Sequence, residues 1–339
     1  MAGRFVGFDI GSSSIKAVEI TGKGNKMNLS SAYMLSTPED SIIDGTIIDY
    51  AELSKSVGKV YSSGGFASQA SALAIKGNDT IVKAVKVPFV SQDQFNKNMI
   101  YMAEQYMNID LEEYSIDYQV IELDKTTALA HVLLTANRHD ALSDYISIFQ
   151  SADMNLKAID LEVVALVNLY KHMQLSSEGT SLILHIGKSI VYAIFLENGE
   201  FAYYETSGSG GDLSSQVLMR FAGFRLDEVE EVKPTIQGSS DEERAKQAYI
   251  DNYFPELFDD LELAINNHML RGGRPPEKAY LSGGGANTLG LRQALQEKFE
   301  LNGTIMSPSQ QINVTSPVAK QIMDQNPAML NVAIAMALR

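Results

Sequence analysis

Apolar and polar residues recur along the chain with the periods of both strands and helices. Residues 4–20 contain two apolar runs separated by the polar segment GSSS, which predicts a strand, a tight turn and a second strand. A helix is predicted around residues 51–63, and further strands are predicted near residues 71–75 and 80–87. The pattern therefore indicates that the first quarter of the chain combines strands with a helix.

A second, smaller group of elements is predicted over residues 88–158. Pro88 interrupts the preceding strand, and Ser91 with Gln94 has the form of a capping box that opens a helix. The elements that follow are strands over residues 116–120 and 127–136, and a helix over 139–152 with Leu142, Tyr145, Ile146 and Phe149 facing inward. Because this order is complete within about 70 residues, we expect a small α+β unit inserted into a larger core.

The opening strand–turn–strand pattern occurs again at residues 181–205. The equivalent positions, each pair separated by 176 residues, are Asp9 and His185, Gly11 and Gly187, and Ser13 and Ser189. Such a repeat indicates that the core contains two related lobes. Near the end of the chain, Asn326 followed by a proline predicts the start of the last helix.

Composition narrows the classes of function. The 339 residues carry a formal net charge of −15 without a prominent run of basic residues, which disfavours binding to nucleic acid or to an anionic membrane. The absence of cysteine excludes disulfides and cysteine-ligated metals. No signal peptide and no window of about 18 apolar residues is evident. We expect a soluble, cytoplasmic protein that does not insert into a membrane.

The polar turn after Asp9 carries groups suited to binding phosphate. Successive backbone N–H groups in a glycine-containing turn, serine hydroxyls and the ammonium of Lys16 are all phosphate donors. Asp9, at the end of the first strand, is suited to hold a hydrated Mg²⁺. A surface hairpin with a polar turn explains this motif equally well on its own, and a lone lysine on a strand is more often a solvated edge residue.

A third glycine motif strengthens the hypothesis of a nucleotide site. The segment SGGGA at residues 282–286 lies between a predicted strand and a helix, and it offers a glycine surface on which a flat base can lie. The two hairpins would supply phosphate loops from two lobes. Neither the P-loop nor the Rossmann glycine motif occurs in the sequence.

The order of these motifs resembles the actin, sugar-kinase and chaperone superfamily of ATP-binding folds. The motifs are DIGSSSIK, the second glycine hairpin, AYLSGGGAN and an alanine-rich last helix. The segments AEQYMNIDLEEYSIDYQVIE, HVLLTANR and LKAIDLEVVALVNLY are similar to the PilM family, the actin-like proteins of type IV pilus assembly, which is related to FtsA. The resemblance implies duplicated α/β, ribonuclease H-like lobes: residues 1–87, an insertion over 88–158, and 159–339 with the last helix returning to the first lobe.

The resemblance also implies which residues bind the nucleotide. They are Asp9, Gly11, Ser12, Ser13 and Lys16 in the first phosphate motif, Gly187, Lys188 and Ser189 in the second, Gly283, Gly284 and Gly285 in the adenosine motif, and Glu230 and Lys233 beside the ribose and base. An ordinary helical i,i+3 ion pair accounts for Glu230 and Lys233 almost equally well.

Two further positions bear on catalysis. Glu162 falls where ATPase relatives position the attacking water, although an exposed carboxylate near a helix start is an alternative explanation. His185 falls where ATP-hydrolysing relatives carry an aspartate, and a histidine at the end of an apolar strand is more often a satisfied core residue. We therefore expect binding of ATP with Mg²⁺ and weak or no hydrolysis.

The resemblance implies a cytoplasmic scaffold for pilus assembly and twitching motility. Such a scaffold docks the N-terminal cytoplasmic segment of the inner-membrane protein PilN and links it to the pilus motor ATPase, so partners recruit it to the inner membrane. We expect the inserted unit to contribute to the partner surface. One alternative is an ATP-dependent phosphotransferase of the sugar- or acetate-kinase type, for which the sequence offers no clear catalytic carboxylate besides Glu162. The other is an FtsA-like cell-division protein, whose C-terminal amphipathic helix has no counterpart here.

Overall fold

The computed structural model describes residues 5–43, 45–76, 80–89, 91–124 and 126–339. The strands are β1 (Val6–Ile10), β2 (Ser14–Thr21), β3 (Asn28–Ser36), β4 (Ile42–Ile43), β5 (Thr46–Ile47), β6 (Ala70–Ile75), β7 (Thr80–Pro88), β8 (Tyr114–Asp124), β9 (Leu129–Arg138), β10 (Asn155–Leu161), β11 (Thr180–Ile186), β12 (Val191–Glu197), β13 (Glu200–Ser207), β14 (Lys278–Ser282), β15 (Gly303–Ile305) and β16 (Asn313–Val314). The helices are α1 (Tyr50–Ser63), α2 (Gln92–Met107), α3 (His139–Ser151), α4 (Glu162–His172), α5 (Gly211–Phe221), α6 (Val229–Val232), α7 (Glu242–Ala248), α8 (Phe254–Leu270), α9 (Leu291–Phe299), α10 (Pro317–Gln325) and α11 (Asn331–Ala337).

The first lobe is built on a six-stranded sheet in the order β10-β6-β1-β2-β3-β16. β1 is antiparallel to β2 and parallel to β6, which is in turn parallel to β10. Residues of α1, α3, α4, α10 and α11 share one apolar core with this sheet. At Gly7 the backbone of α11 comes so close that an added Cβ would lie 2.1 Å from the carbonyl oxygen of Ala333. The last helix thus belongs to the first lobe.

The second lobe has a five-stranded sheet in the order β13-β12-β11-β14-β15, with its own core. Its first hairpin reproduces that of the first lobe in register: Asp9 is opposite Lys16 on β1 and β2, and His185 is opposite Tyr192 on β11 and β12. The turns are closed in the same way, because the amides of Gly11 and Gly187 each donate to a carbonyl three residues later at 3.0 Å. The predicted duplication is therefore a duplication of structure.

A separate three-stranded sheet in the order β7-β9-β8 packs against α2. Ser91 caps this helix, since its Oγ accepts a hydrogen bond from the amide of Gln94. Phe95 and Met99 of α2 are buried against Val132 and Leu134 of β9. None of these three strands pairs with either large sheet in the described part of the chain. We call β7, α2, β8 and β9, residues 80–138, the inserted unit.

The inserted unit has different bounds from the 88–158 expected from the sequence. It begins earlier, because β7 pairs with β9 from Thr80 onward. It ends earlier, because α3 packs in the core of the first lobe, where Phe149 meets the ring of Phe8 at 5.2 Å, and because β10 pairs with β6. The inward face of α3 also includes Ile148, whereas Ile146, expected to face inward, is exposed. Helical spacing shows that a face is apolar, but it does not show which sheet that face covers.

Candidate functional site

A buried group of charges lies where the two lobes meet, in the region that we call the cleft. Asp9 is the penultimate residue of β1 and Lys76 follows β6, and these parallel neighbours end at the same edge of the sheet. Lys16 Nζ donates to Asp9 Oδ2 at 2.9 Å, and Lys76 Nζ lies 4.0 Å from Oδ1. Both carboxylate oxygens therefore face an ammonium. Burial alone would raise the pKa of Asp9, but the two lysines outweigh it and hold this pKa below its ordinary value.

Glu162 and His185 connect the two lobes beside this group of charges. Glu162 is the first residue of α4 in the first lobe, and its Oε1 lies 3.3 Å from Nε2 of His185, which lies near the end of β11. Nδ1 of the same ring lies 3.1 Å from Oγ of Ser282. His185 is thus a satisfied buried residue, as the sequence suggested. The alternative explanation of Glu162 as an exposed carboxylate is wrong, since this residue is only 3% exposed.

Lys76 connects Glu162 to Asp9 electrostatically. Burial opposes ionisation of all three groups, but their mutual attraction outweighs it, so that the pKa values of Asp9 and Glu162 are lowered and that of Lys76 is raised. The sequence prediction missed Lys76. The sequence shows that Lys76 directly follows the apolar segment ASALAI, but only the fold shows that this strand runs parallel to the strand that ends near Asp9.

The first phosphate loop has free donors. The hydroxyls of Ser12, Ser13 and Ser14 and the amides of Ser12 and Ser13 make no hydrogen bond to the described part of the chain. Gly11 allows the turn to close, because an added Cβ there would lie 3.1 Å from the carbonyl oxygen of Ser14. Several unengaged donors beside two ammonium groups fit the chemistry of a polyphosphate.

The second phosphate loop is more strongly engaged with its own lobe. The carbonyls of Gly187 and Lys188 accept hydrogen bonds from the amides of Gly211 and Asp212 at 2.9 and 2.8 Å. The hydroxyl of Ser189 donates to Asp212 Oδ2 at 2.9 Å. These contacts fix the loop against the first turn of α5. The first loop therefore offers the larger set of free groups to a ligand.

The three glycines of the adenosine motif differ in what surrounds them. Gly283 has φ +85°, and an added Cβ would lie 2.5 Å from the carbonyl oxygen of Ile186; at Gly285 it would lie 2.3 Å from the side chain of Ile186. Gly284 is open, with only Met329 at 3.8 Å. Two of the glycines are therefore required for packing against β11, and Gly284 alone presents a free surface of the kind expected for a base.

Glu230 and Lys233 form more than a simple ion pair. Lys233 Nζ lies 3.0 Å from Glu230 Oε1 and donates to the carbonyl of Gly211 at 2.8 Å, while Ser215 bonds to both side chains. Burial would raise the pKa of Glu230, but Lys233 outweighs it and lowers this pKa; burial lowers the pKa of Lys233. Lys188 adds to both effects, so the pair lies close to the second loop.

A hydrated Mg²⁺ does not fit this set of side chains. Both oxygens of Asp9 already face lysines, and the equivalent position in the second hairpin holds His185, which is a poor ligand for a hard cation. Within the described ranges, no three histidine or acidic side chains are grouped so as to hold a metal. The site thus fits phosphates through its serines and lysines, but not a conventional magnesium site at Asp9.

A second feature is a cavity of about 200 Å³ between β10, α4 and α11. Its walls include the apolar residues Leu169 and Met336, and Arg339 donates to Asp160 at its edge. Burial raises the pKa of Asp160, Arg339 opposes this, and Asp117 of β8 adds to the increase. Asp117 of the inserted unit is therefore within electrostatic range of the edge of this cavity. The sequence prediction did not identify it, since its walls come from distant segments.

The described helices include none that is both long enough and apolar enough to cross a bilayer. A family model for the type IV pilus assembly protein PilM matches residues 7–339. The chain belongs to the PilM family. The PilM-family chain is also similar in structure to a PilM–PilN type IV pilus biogenesis complex, with a TM-score of 0.83, 21% sequence identity, and coverage of 99% of this chain and 98% of that one.

Two other solved structures extend the likeness to more distant proteins. The ethanolamine utilisation protein EutJ from Carboxydothermus hydrogenoformans matches with a TM-score of 0.57 and 14% identity, covering 100% of this chain and 90% of EutJ. MreB5 of Spiroplasma citri bound to ADP matches with a TM-score of 0.53 and 13% identity, covering 91% of this chain and 93% of MreB5. The PilM-family chain thus has the actin-like fold that the sequence indicated.

Proposed function

We propose that this PilM-family chain is an actin-like scaffold of type IV pilus assembly that binds the N-terminal cytoplasmic segment of a PilN partner and links it to the pilus motor. PilN recruits the scaffold to the inner membrane. Family membership and the structural match to PilM from a PilM–PilN complex support this proposal. The observation that carries it is the cavity beside the inserted unit, because it offers a place for an extended segment.

The surroundings of the cavity suit a peptide. β8 and β10 each have only one neighbour in their sheets among the described strands, so each has a free edge that can hydrogen-bond an added strand. The charge of Asp117 on β8 acts on Asp160 of β10, so these two carboxylates lie within electrostatic range of each other. An apolar side chain of the segment would enter the cavity against Leu169 and Met336, and the pair of Asp160 and Arg339 would provide polar contacts at its edge.

Titration calorimetry with a synthetic peptide of the cytoplasmic N-terminal segment of PilN from the same organism tests this site. Asn168 is exposed and lines the cavity, so Asn168→Trp should obstruct it and weaken binding by about tenfold or more. Lys171→Trp, at an exposed position outside the cavity lining on the same helix, should change affinity by less than about twofold. Equal effects of the two substitutions would remove the cavity from the proposal, and no binding by the unmodified chain would remove PilN as a direct partner.

We also propose that ATP binds between the lobes and is turned over slowly. Ser12, Ser13 and Lys16 would hold the phosphates, and Gly284 would lie against the base. Oε1 of Glu162 lies 3.3 Å from His185 and its charge is balanced by Lys76, and the second aspartate expected of an efficient ATPase is absent. Loss of one such group costs about 10²–10³ in rate. Relative to a typical enzymatic kcat of about 10 s⁻¹, turnover should be about 0.1 s⁻¹ or less.

A phosphate-release assay beside calorimetry with ATP tests this second part. Lys16→Met should weaken ATP binding, because it removes a buried ammonium from the cleft, and Lys26→Met, at an exposed lysine of the same lobe, should not. Turnover of several molecules per second would show that the scaffold is also an efficient ATPase. The absence of measurable affinity for ATP would contradict the nucleotide site itself.

A further inference from the structure

The charges around Asp9 differ from those of a site built for a divalent cation. The Asp9 carboxylate and both lysine side chains near it are largely buried, with 9% exposure for Asp9 and Lys16 and 16% for Lys76. Together with Glu162, the four groups carry two negative and two positive charges. The cleft therefore contains two cations of its own, Lys16 on β2 and Lys76 directly after β6.

We propose that this chain binds a nucleoside triphosphate without a divalent cation, and that Lys16 and Lys76 supply the positive charge that Mg²⁺ supplies elsewhere. The inference rests on the proposed nucleotide site and specifies how that site neutralises phosphate. Two ammonium groups that already contact a carboxylate are compact cations with several donors, and they can hydrogen-bond phosphate oxygens.

A magnesium ion would meet two obstacles here. It would lie beside two ammonium groups in a poorly solvated site, where repulsion between like charges is strong. It would also need oxygen ligands in a near-ideal octahedron, and the position equivalent to Asp9 in the second lobe holds His185. Displacing Lys76 to make room would separate it from both Asp9 and Glu162, the two groups that stabilise its charge.

The other charged and titratable groups near the cleft do not alter this conclusion. Burial raises the pKa of Tyr145 to about 12, so that its hydroxyl stays neutral. Lys188, in the second loop, is exposed and adds positive charge rather than a cation ligand. Asp212 is already engaged by Ser189. Oε2 of Glu162 has no hydrogen-bond partner among the described residues, but Lys76 already balances the charge of this carboxylate.

Calorimetry with ATP and with its non-hydrolysable imido analogue AMPPNP, in excess Mg²⁺ and in excess EDTA, provides the test. We expect affinities that agree within about threefold between the two conditions. A loss of about tenfold or more in EDTA would overturn the inference and leave the nucleotide site standing. An absence of binding in both conditions would overturn the nucleotide site and the inference together, so the two failures are distinguishable.

A charge-balanced variant tests the role of Lys76. The double substitution Lys76→Met with Glu162→Gln removes one positive and one negative charge from the cleft, and it should make binding depend on Mg²⁺ by about tenfold. The matched control is Lys86→Met with Glu122→Gln, at two exposed positions of the inserted unit, which should bind as the unmodified chain does. Circular dichroism checks that both variants are folded. A folded cleft variant that still binds equally well in EDTA and Mg²⁺ would overturn the assignment to Lys76.

Discussion

Replacing Glu162 by glutamine removes one charge from the group that joins the lobes while preserving its volume. Among the described residues, the substitution leaves Asp9 as the only carboxylate near Lys76, at 4.0 Å, and Asp9 is already paired with Lys16 at 2.9 Å. The buried group then carries an uncompensated positive charge. We therefore expect Glu162→Gln to destabilise the fold, although every hydrogen-bonding atom of the side chain retains a polar replacement.

The cost of breaking a buried ion pair sets the upper range of the effect, because removing one partner of such a pair costs about 3–5 kcal/mol. The lower end applies, because Glu162 acts on Lys76 through its charge rather than through a direct contact, and because Lys76 keeps Asp9 and is partly exposed. For chains of this size a change of 1 kcal/mol shifts Tm by about 2 °C, so a loss of about 3 kcal/mol should lower Tm by about 6 °C. Lys76→Met in the Glu162→Gln background should recover much of the loss, because replacing both charges by neutral groups is often neutral.

Differential scanning calorimetry of the unmodified chain, both single variants and the double variant measures this coupling as a double-mutant cycle. The pKa of Glu162 is lowered below its ordinary value of 4.5 in the folded chain. Between the two pKa values the unfolded chain therefore binds more protons than the folded chain does, and a fall in pH favours unfolding. The contribution of Glu162 is complete above the ordinary value and disappears as the pH falls through the folded value. The Tm difference between the unmodified chain and Glu162→Gln should thus be constant over about pH 6–8 and shrink in acid. A Tm change below about 1 °C, or strictly additive single effects, would refute the reasoning.

Two further predictions concern packing and domain structure. Gly283→Ala should lower Tm by about 5 °C or more, because it combines a positive φ with a Cβ 2.5 Å from the carbonyl oxygen of Ile186. The control Gly284→Ala should leave Tm within about 1 °C of that of the unmodified chain. Equal effects of the two substitutions in a thermal melt would contradict this account. Replacing residues 80–138 by a short glycine-serine linker should leave the two lobes folded, since Thr80 and Asn137 are opposite each other and the ends of the deleted segment are close. The variant should retain ATP binding and lose binding of the PilN peptide. Deletion of residues 88–158 should instead prevent folding, because it removes α3 and β10 from the first lobe. Circular dichroism and calorimetry assess both deletions. A folded variant that lacks residues 88–158 would count against the bounds 80–138 for the inserted unit.

Local patterns were sufficient to predict much of the fold. The two hairpins were recognisable because turn chemistry and strand alternation are encoded in adjacent residues, and their 176-residue offset is reproduced in the pairing of Asp9 with Lys16 and His185 with Tyr192. The last helix was placed too early. It begins at Asn331 rather than directly after Asn326. Asn326 Oδ1 does accept a hydrogen bond from the amide of Ala328 at 3.0 Å, while its Nδ2 donates to the carbonyls of Gly283 and Gly284. The local signal thus marks a turn that precedes the helix, and not the first turn of the helix itself.

The candidate site was predictable where its residues lie within one motif and unpredictable where strands from different segments meet. Asp9, the serines and His185 were identified from their hairpins. Lys76 was not, because its proximity to Asp9 depends on the parallel pairing of β1 with β6, which spacing along the chain does not reveal. The sequence also predicted that Gly283 and Gly285 lie against a ligand, whereas a Cβ added at either position would first meet Ile186.

The close contact between Gly7 and α11 has a consequence for how the protein emerges from the ribosome. The five-stranded sheet is encoded by the continuous segment 180–305, whereas the six-stranded sheet needs β10, β16 and α11 in addition to its first strands. At about 5–20 residues per second, β1 waits roughly 15–60 s for the helix that covers it. The lobe synthesised later is thus the first that can be completed. In stalled nascent chains of increasing length, protease resistance should appear in residues 180–305 before it appears in residues 5–75. The reverse order would exclude this order of folding.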